Sequence, residues 1–432
     1  MRKRAAGPEA AIKTGVAFFI ALRYLLGRAR EGGRYLRGAA AGIALSLVPI
    51  VVTLIVADGM IRGITDRYIE LGTGHLQVYN YLEPGEIEDS ISEAAAVPGV
   101  RGVWPERRGI GVLMGKSGKS GATIRAVDSA FWEDRGSSRF LVIREGESFP
   151  GTDRDVVLGE ELAADIGAEL GSPVRIMTIR TTEDGRTVPR MTVFTVRGIV
   201  SSGYRELDSL WCILSWEGGK RALPPEMSSS YLTVKIDDPY RNADRIARLL
   251  SSVLGPGFGA YTWADLQRSQ YSSYESTRQL LLFIMALVVI VAAVNVSSAT
   301  SMLVIERQRD IAVLKAAGAS PRDMETVFLW GSFLTGTVGA IAGIGAGLLL
   351  GRFINEAIRG LEKLLSLFSG LFRGGEVKLL DPGYYLETIP VIIDWTMVFL
   401  IGLFTILCSV TASWIPARRA GRLKPLDLLR KY

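Results

Sequence analysis

Four long stretches of the chain carry no charged residue, and polar segments separate them. These mostly apolar runs cover residues 38–57, 279–305, 326–351 and 395–417. A helix needs roughly 20 apolar residues to cross the hydrocarbon core of a bilayer, and it satisfies its backbone hydrogen bonds internally. The pattern therefore predicts four transmembrane helices, and four buried helices of a soluble protein explain it poorly.

The segment between the first two runs, residues 58–278, contains only short patterns. Strand-like stretches occur at 75–81, 122–128, 139–145, 173–181, 191–200, 210–215 and 230–237. Helix-like stretches lie between them at 86–97, 159–170 and 242–254. Strands and helices interspersed in this way predict a mixed α+β domain.

Helices on both sides of this domain are predicted to continue past the bilayer as stalks. The first has no stop signal before Gly72, and Thr262 with Asp265 forms a capping-box start ahead of the second run. A helix from 263 to 305 would be about 64 Å long at about 1.5 Å per residue. A rod of this length can carry motion from one side of the membrane to the other.

The distribution of charge predicts the orientation. Residues 1–37 carry nine Lys or Arg and two acidic residues, and residues 418–432 carry six and one. Segment 58–278 carries 26 basic and 31 acidic residues. Because basic flanks stay in the cytoplasm, both termini are predicted to be cytoplasmic and the α+β domain extracytoplasmic. The net charge of +6 then reflects cations beside anionic lipid, and we expect no nucleic-acid partner.

These predictions divide the chain into nine segments. In chain order they are a cytoplasmic N-terminus with an interfacial helix (1–37), a first span (38–57), the α+β domain with its stalks (58–278), a second span (279–305), a cytoplasmic coupling segment (306–325), a third span (326–351), a periplasmic loop (352–394), a fourth span (395–417) and a cytoplasmic C-terminus (418–432). Cys212 and Cys408 fall in different segments, so no disulfide is expected.

Residues 306–323, ERQRDIAVLKAAGASPRD, form a charged, helix-prone segment between two spans. Ile311, Val313 and Leu314 are predicted to form one apolar stripe within it. Gly318 stands where a helix ends in the left-handed conformation, and Ser320 begins the next helix as an N-cap. The pattern predicts a capped helical knob on the cytoplasmic surface, which either docks a soluble partner or simply connects two spans.

The third span carries glycines four residues apart. Small residues at this spacing let helices approach closely. We therefore predict a packing face for the first or the fourth helix at Gly339, Gly343, Gly347 and Gly351.

Patterns for catalysis and metal binding are weak. MGKSGKSG at 114–121 lacks the glycine that a Walker A loop places five residues before its Gly-Lys pair, so we predict a turn there. His75 is the only histidine, and without a cysteine cluster or an HExxH pattern it supports neither a zinc site nor a catalytic triad. The four runs also lack the ionisable residues that ion-coupled transporters use. We therefore predict a non-catalytic membrane protein that holds no metal.

Several motifs, taken in order, resemble one family. RDIAVLKAAGASPRDMETVFLWGSFLTGTVGAIAG (309–343) resembles the coupling segment and third helix of FtsX/MacB-type permeases of ABC transporters. Within that group, VVLGEELAADIGAELGSPVRI (156–176), FTVRGIVSSGYRELDS (194–209) and LLDPGYYLETIPVIID (379–394) resemble the LolC/LolE lipoprotein-releasing permeases. The resemblance implies four spans, a large MacB-like periplasmic core domain between the first two, and cytoplasmic contact with a separate ATPase.

The resemblance also implies three sites. The knob is expected to couple to the ATPase through Arg309, Asp310, Ile311, Leu314 and Lys315. A hairpin at 182–191 is expected to hook a soluble lipoprotein carrier through Arg186, Val188, Pro189 and Arg190, unless it is an ordinary exposed hairpin. A lipid-facing cavity at the first two spans is expected near Val52, Ile55, Leu282 and Met285.

The function implied by the resemblance is that of a permease subunit in an ATP-driven lipoprotein-releasing transporter of the bacterial inner membrane. The expected partners are a dimeric ABC ATPase that binds the ATP and Mg, a second permease that is identical or paralogous, lipoprotein cargo and a periplasmic carrier. Two alternatives keep the architecture. One is a MacB-like efflux permease for drugs or peptides, and the other is an FtsX-like activator of a cell-wall hydrolase.

Overall fold

The computed structural model describes residues 14–26, 33–82, 87–181, 185–371 and 389–423. Parts of the predicted basic termini, most of the motif at 379–394 and residues 182–184 of the predicted hairpin lie outside the described residues. The chain divides into two compact units. The membrane unit comprises residues 1–59, 275–365 and 390–432, and the polar domain comprises residues 60–274 and 366–389.

The helices and strands are numbered separately along the chain. The helices are α1 (Thr14–Leu26), α2 (Gly33–Arg67), α3 (Ile91–Ala95), α4 (Ala130–Glu133), α5 (Arg135–Phe140), α6 (Glu160–Ile166), α7 (Arg205–Asp208), α8 (Trp216–Ala222), α9 (Ala243–Leu254), α10 (Trp263–Leu266), α11 (Arg268–Glu306), α12 (Gln308–Ala316), α13 (Pro321–Arg352), α14 (Ile354–Leu371), α15 (Trp395–Ala412) and α16 (Trp414–Arg422). The strands are β1 (Leu76–Asn80), β2 (Val100–Met114), β3 (Lys119–Val127), β4 (Val142–Gly146), β5 (Asp155–Gly159), β6 (Pro173–Thr181), β7 (Thr187–Ser201), β8 (Trp211–Ser215), β9 (Ser228–Ile236) and β10 (Phe258–Thr262).

Four helices of the structure are long and apolar enough to cross a bilayer, which confirms the four apolar helices predicted from the sequence. They are Arg34–Gly72, Arg268–Glu306, Pro321–Arg352 and Trp395–Arg422 when directly adjoining turns are included. In the membrane unit α13 packs against α1, α15 and α16. The α1 contact includes an edge-to-face ring pair, Phe18 on Trp330, with centroids 5.3 Å apart.

The polar domain is built on one mixed sheet of ten strands, as the α+β prediction requires. Its order is β10-β1-β9-β2-β3-β8-β5-β7-β4, and β6 pairs with β2 and β7. The pairs β3–β8 and β5–β7 are parallel, and the others are antiparallel. Buried apolar side chains on both faces pack under the short helices, for example Ile246 and Leu250 of α9.

The two predicted stalks have local irregularities. After Arg67 the helix of α2 continues as one π-helical turn, Tyr68–Gly72, and Thr73 N–H donates to the carbonyl of Tyr68 at 2.8 Å. The second stalk starts with the predicted capping box of Thr262 and Asp265, but the helix is interrupted at Gln267. The prediction of an uninterrupted helix from 263 to 305 is therefore wrong. The helix α11 alone is about 58 Å long at about 1.5 Å per residue.

Candidate functional site

The predicted knob is a short helix, α12, which begins without a side-chain cap at Arg307 and ends in a tight turn. Gly318 takes φ +103° after its end, where an L side chain would be strained. Ser320 then caps α13 in a complete capping box with Asp323. Of the predicted coupling residues, Arg309 is exposed and Asp310 forms an ion pair with Arg307 at 2.9 Å. The knob thus presents charge on a rigid frame.

Two of the three residues predicted to form the apolar stripe of α12 face inward. Ile311 is 1% exposed and lies in a buried cluster of the membrane unit, and Leu314 packs against the same cluster. Val313, by contrast, is 57% exposed. In this conformation Arg309 and Val313 are the exposed side chains, whereas Ile311 packs α12 against the unit.

Lys315 joins α12 to the C-terminal helix. Its ammonium donates to the carbonyl of Gly421 at 2.6 Å and to the carbonyl of Leu423 at 2.7 Å. Such a cation satisfies the free carbonyls at a helix C-terminus and complements the helix dipole. Burial lowers the pKa of Lys315. Movement of α12 is consequently tied to α16.

An apolar cavity of about 170 Å³ lies between α2, α11 and α15. Its wall includes the predicted residues Leu282 and Met285, together with Ile50, Met397 and Phe404. The structure places the other two predicted residues elsewhere. Val52 is half-buried outside the wall, and Ile55 is 1% exposed and faces Gly351 of α13.

Three charged side chains, from α2, α11 and the N-cap of α15, meet about one to two helical turns from the cavity wall. Arg278 of α11 lies 3.0 Å from Asp58 of α2 and 3.4 Å from Asp394, which caps α15. Asp394 accepts from the backbone N–H groups of Thr396 and Met397. The ion pairs therefore join α2 and α11 to the N-terminus of α15, one of the helices that enclose the cavity.

The four glycines of the third span all face α2. A Cβ added at Gly343 would lie 2.8 Å from the carbonyl oxygen of Ala44, and one at Gly347 would lie 2.7 Å from Val51 Cβ. Gly339 and Gly351 are equally close to Ile43 and Ile55. The glycine spacing allowed either the first or the fourth helix as the partner, and the structure shows that the first, α2, packs here.

The predicted carrier hairpin is formed by β6 and β7. Val188 and Pro189 pair with Arg180 and Ile179, and Arg190 pairs with Thr178. Arg186, Val188 and Pro189 are exposed and Arg190 is half-buried. Side chains two apart share a strand face, so one face of the hairpin presents exposed apolar side chains, namely Ile179, Pro189, Met191 and Val193.

A buried charge network occupies the centre of the polar domain, and the sequence patterns did not reveal it. Glu106 of β2 is 1% exposed. It accepts from Arg125 at 2.8 and 3.0 Å, from Arg108 at 3.2 Å and from the Tyr231 hydroxyl at 2.8 Å. Burial raises the pKa of Glu106, but the charges of Arg125 and Arg108 outweigh it and the pKa falls to about 2. Glu106 is therefore a carboxylate at any physiological pH.

A second group of charges lies beside the first. Glu70 accepts from Lys235 at 2.5 Å and from His75 Nε2 at 3.0 Å. Burial raises the pKa of Glu70, but His75 and Lys235 together bring it down to about 2. His75 Nδ1 accepts from the Ile236 N–H at 2.9 Å, and burial lowers its pKa. His75 is thus a neutral structural residue, and among the described residues no cluster of metal-ligating side chains is present.

Two family matches together span most of the polar domain and most of the membrane unit. Residues 38–251 match the MacB-like periplasmic core domain, and residues 282–425 match the FtsX-like permease C-terminal family. The four long apolar helices and the mixed sheet agree with both. The chain is therefore an ABC transporter permease of the FtsX/MacB type, a family of transmembrane subunits that work with an ATPase.

Full-length similarity extends to lipoprotein-releasing subunits. The chain is 28% identical, over 95% of its length and 98% of the relative, to the lipoprotein-releasing system transmembrane protein LolC of Xylella fastidiosa strain 9a5c. It is 22% identical to LolE of Haemophilus influenzae, over 96% of this chain and 99% of LolE. The macrolide export ATP-binding/permease protein MacB of Acinetobacter baylyi is 23% identical over 74% of this chain and 49% of MacB.

Proposed function

We propose that this chain is the permease subunit of an ATP-driven transporter that extracts lipoproteins from the bacterial inner membrane. The observation that carries the proposal is the cavity between α2, α11 and α15, whose lining side chains are all apolar. Sites for drugs and peptides place a few polar groups to orient the ligand. A wall of Leu282, Met285, Met397 and Phe404 suits a hydrocarbon chain instead.

The proposed source of energy is a separate ATPase dimer, which binds ATP and Mg on the cytoplasmic side. We place both chain termini and α12 on that side because of the basic flanks. Arg309 and the exposed Val313 are the proposed contacts, while Lys315 passes the movement of α12 to α16. A second permease, identical or paralogous, completes the cavity.

The proposed exit is a handover to a soluble periplasmic carrier at the β6–β7 hairpin. Its apolar face, with Met191 and Val193 more than half exposed, fits a partner whose own surface is apolar. Deletion of residues 183–190 in the full chain is expected to abolish carrier binding and leave ATPase binding intact. Equal carrier binding by both chains would exclude the hairpin.

One alternative is favoured by a specific observation. The similarity to MacB of Acinetobacter baylyi over 74% of this chain supports efflux of small amphiphiles with the same membrane unit. The FtsX-like activation of a cell-wall hydrolase stays a third candidate, and a hydrolase among the co-purifying chains would favour it.

The decisive experiment is purification of the full chain with its native partners, followed by reconstitution in liposomes that contain a triacylated lipoprotein. We expect an ATPase to co-purify and ATP to drive release of the lipoprotein to a soluble carrier. Val313→Asp is expected to abolish co-purification of the ATPase, whereas Val253→Asp, at a residue 53% exposed in the polar domain, serves as the matched control. ATP-driven efflux of a dye without lipoprotein release would favour the alternative.

A further inference from the structure

The last carbonyls of the first stalk are bound by three cations from three strands, of which Arg125 and Lys235 are buried and Arg108 is 30% exposed. A helix leaves its final carbonyls without intrahelical partners, and glycine turns or water usually satisfy them. Here Lys235 of β9 donates to two of them at 3.3 and 2.8 Å. Arg125 of β3 and Arg108 of β2 donate to the next two. The four carbonyls belong to Ile69, Glu70, Leu71 and Gly72.

Carboxylates hold each of these cations in place. Glu106 binds Arg125 through two hydrogen bonds and Arg108 through one, and Glu70 binds Lys235. Asp134 lies 3.9 Å from Lys235 as well. Three cations and three carboxylates thus balance, and the negative end of the helix dipole adds to the attraction for the cations.

The location of the network gives it a mechanical consequence. β9, β2 and β3 are consecutive neighbours in the sheet, so the end of the stalk is bonded to three adjoining strands at once. Arg125, Lys235 and Glu106 are 3%, 2% and 1% exposed. Apolar contacts slide with little change in energy, because the hydrophobic effect is non-directional. Directional, charge-assisted bonds to successive carbonyls resist both pulling and rotation.

We propose that Arg108, Arg125 and Lys235 are positioning residues that fix the end of α2 to the sheet, so that displacement of α2 moves the polar domain. This inference rests on the proposed function, in which an ATPase moves the membrane helices. Stability alone does not explain the network, because buried ion pairs are often no more stabilising than apolar side chains of similar volume. The network instead provides a fixed connection.

The test uses the full chain with its ATPase partner in nanodiscs. The double variant Glu106→Gln/Arg125→Met removes the two most deeply buried charges together, which limits the loss of stability. Arg108 loses its carboxylate partner, but its side chain is 30% exposed to water. The matched control is Glu147→Gln/Arg197→Met, which removes an exposed pair at 2.7 Å in the same domain. Spin labels at Val253 and Phe399, both more than half exposed, report the distance between the two units with ADP and with ATP plus vanadate.

We expect wild type and control to show a nucleotide-dependent distance change, and the double variant to lose it while it still hydrolyses ATP. Lipoprotein released per ATP should fall by roughly tenfold, within the range for residues that link two sites. An unchanged distance response in the folded double variant would overturn the inference. Should the double variant fail to fold, Lys235→Met is the second variant, and Lys235→Arg should restore the response.

Failure of the proposed function would look different. If wild type shows the distance change but releases no lipoprotein, the cargo is wrong and the variant comparison still tests the connection. If wild type shows no distance change in any nucleotide state, the connection transmits nothing and the inference is overturned.

Discussion

The free energy of unfolding at acidic pH directly tests the contribution of the buried carboxylate Glu106. Its pKa falls from the ordinary 4.5 to about 2 in the folded chain, which corresponds to about 3 kcal/mol at about 1.36 kcal/mol per pH unit. Because the folded pKa is the lower one, this stability is present above about pH 4.5 and is lost as the pH falls towards about 2. Roughly 1 kcal/mol of it should be left near pH 3.

The variant Glu106→Gln removes this dependence. Near pH 7 it should lower the free energy of unfolding of the polar domain by roughly 3 kcal/mol, since it leaves Arg125 buried without its carboxylate. The difference from wild type should shrink to roughly 1 kcal/mol near pH 3. Urea titration of the full chain in detergent, followed by fluorescence of buried Trp104 and Trp211, measures both values.

Glu147→Gln is the control, because its exposed ion pair with Arg197 should contribute well under about 1 kcal/mol at any pH. A constant difference between wild type and Glu106→Gln across the acid range would refute the reasoning. It would mean that Glu106 titrates alike in the folded and unfolded chain.

Three further substitutions probe the membrane unit. Gly343→Val should lower thermal stability in detergent, by roughly 1–3 kcal/mol through overpacking against α2, whereas Gly345→Val has open space and should not. Lys315→Met should speed amide hydrogen exchange at the end of α16, since two carbonyl bonds worth roughly 1 kcal/mol each are lost. Thr300→Val should cost only about 0.6 kcal/mol, because its hydroxyl bonds Ser332 at 3.2 Å; a cost of several kcal/mol would contradict this.

Local signals in the sequence were sufficient for the four long helices of the membrane unit and for one packing face between them. Charge-free runs mark the four apolar helices, and Ser320 with Asp323 caps α13 as the pattern indicates. The glycine period also identifies a packing face, because a four-residue repeat puts Gly343 and Gly347 on one side of a helix. Each of these features depends on residues close together in the chain.

The charge network at the centre of the polar domain could not be predicted from such local signals. β2 is one of the two longest strands, yet Pro105, Glu106, Arg107 and Arg108 make its sequence look like a loop. Glu106 tolerates burial only because its partners arrive from β3 and β9, 19 and 125 residues away. Likewise the stripe of α12 gives no sign that Ile311 is covered by the chain's own helices.

The glycine contact between α2 and α13 also limits where a molecule could pass from the bilayer into the cavity. Separating these two helices would open voids along four successive turns, since Gly339 to Gly351 supply no side chain to fill the gap. In the proposed function, a lateral portal for an acyl chain would therefore lie on the other flank. There α11 and α15 expose Ile290, Phe399 and Leu403, and a lipid tail entering between them would reach the cavity without parting the tightly joined pair.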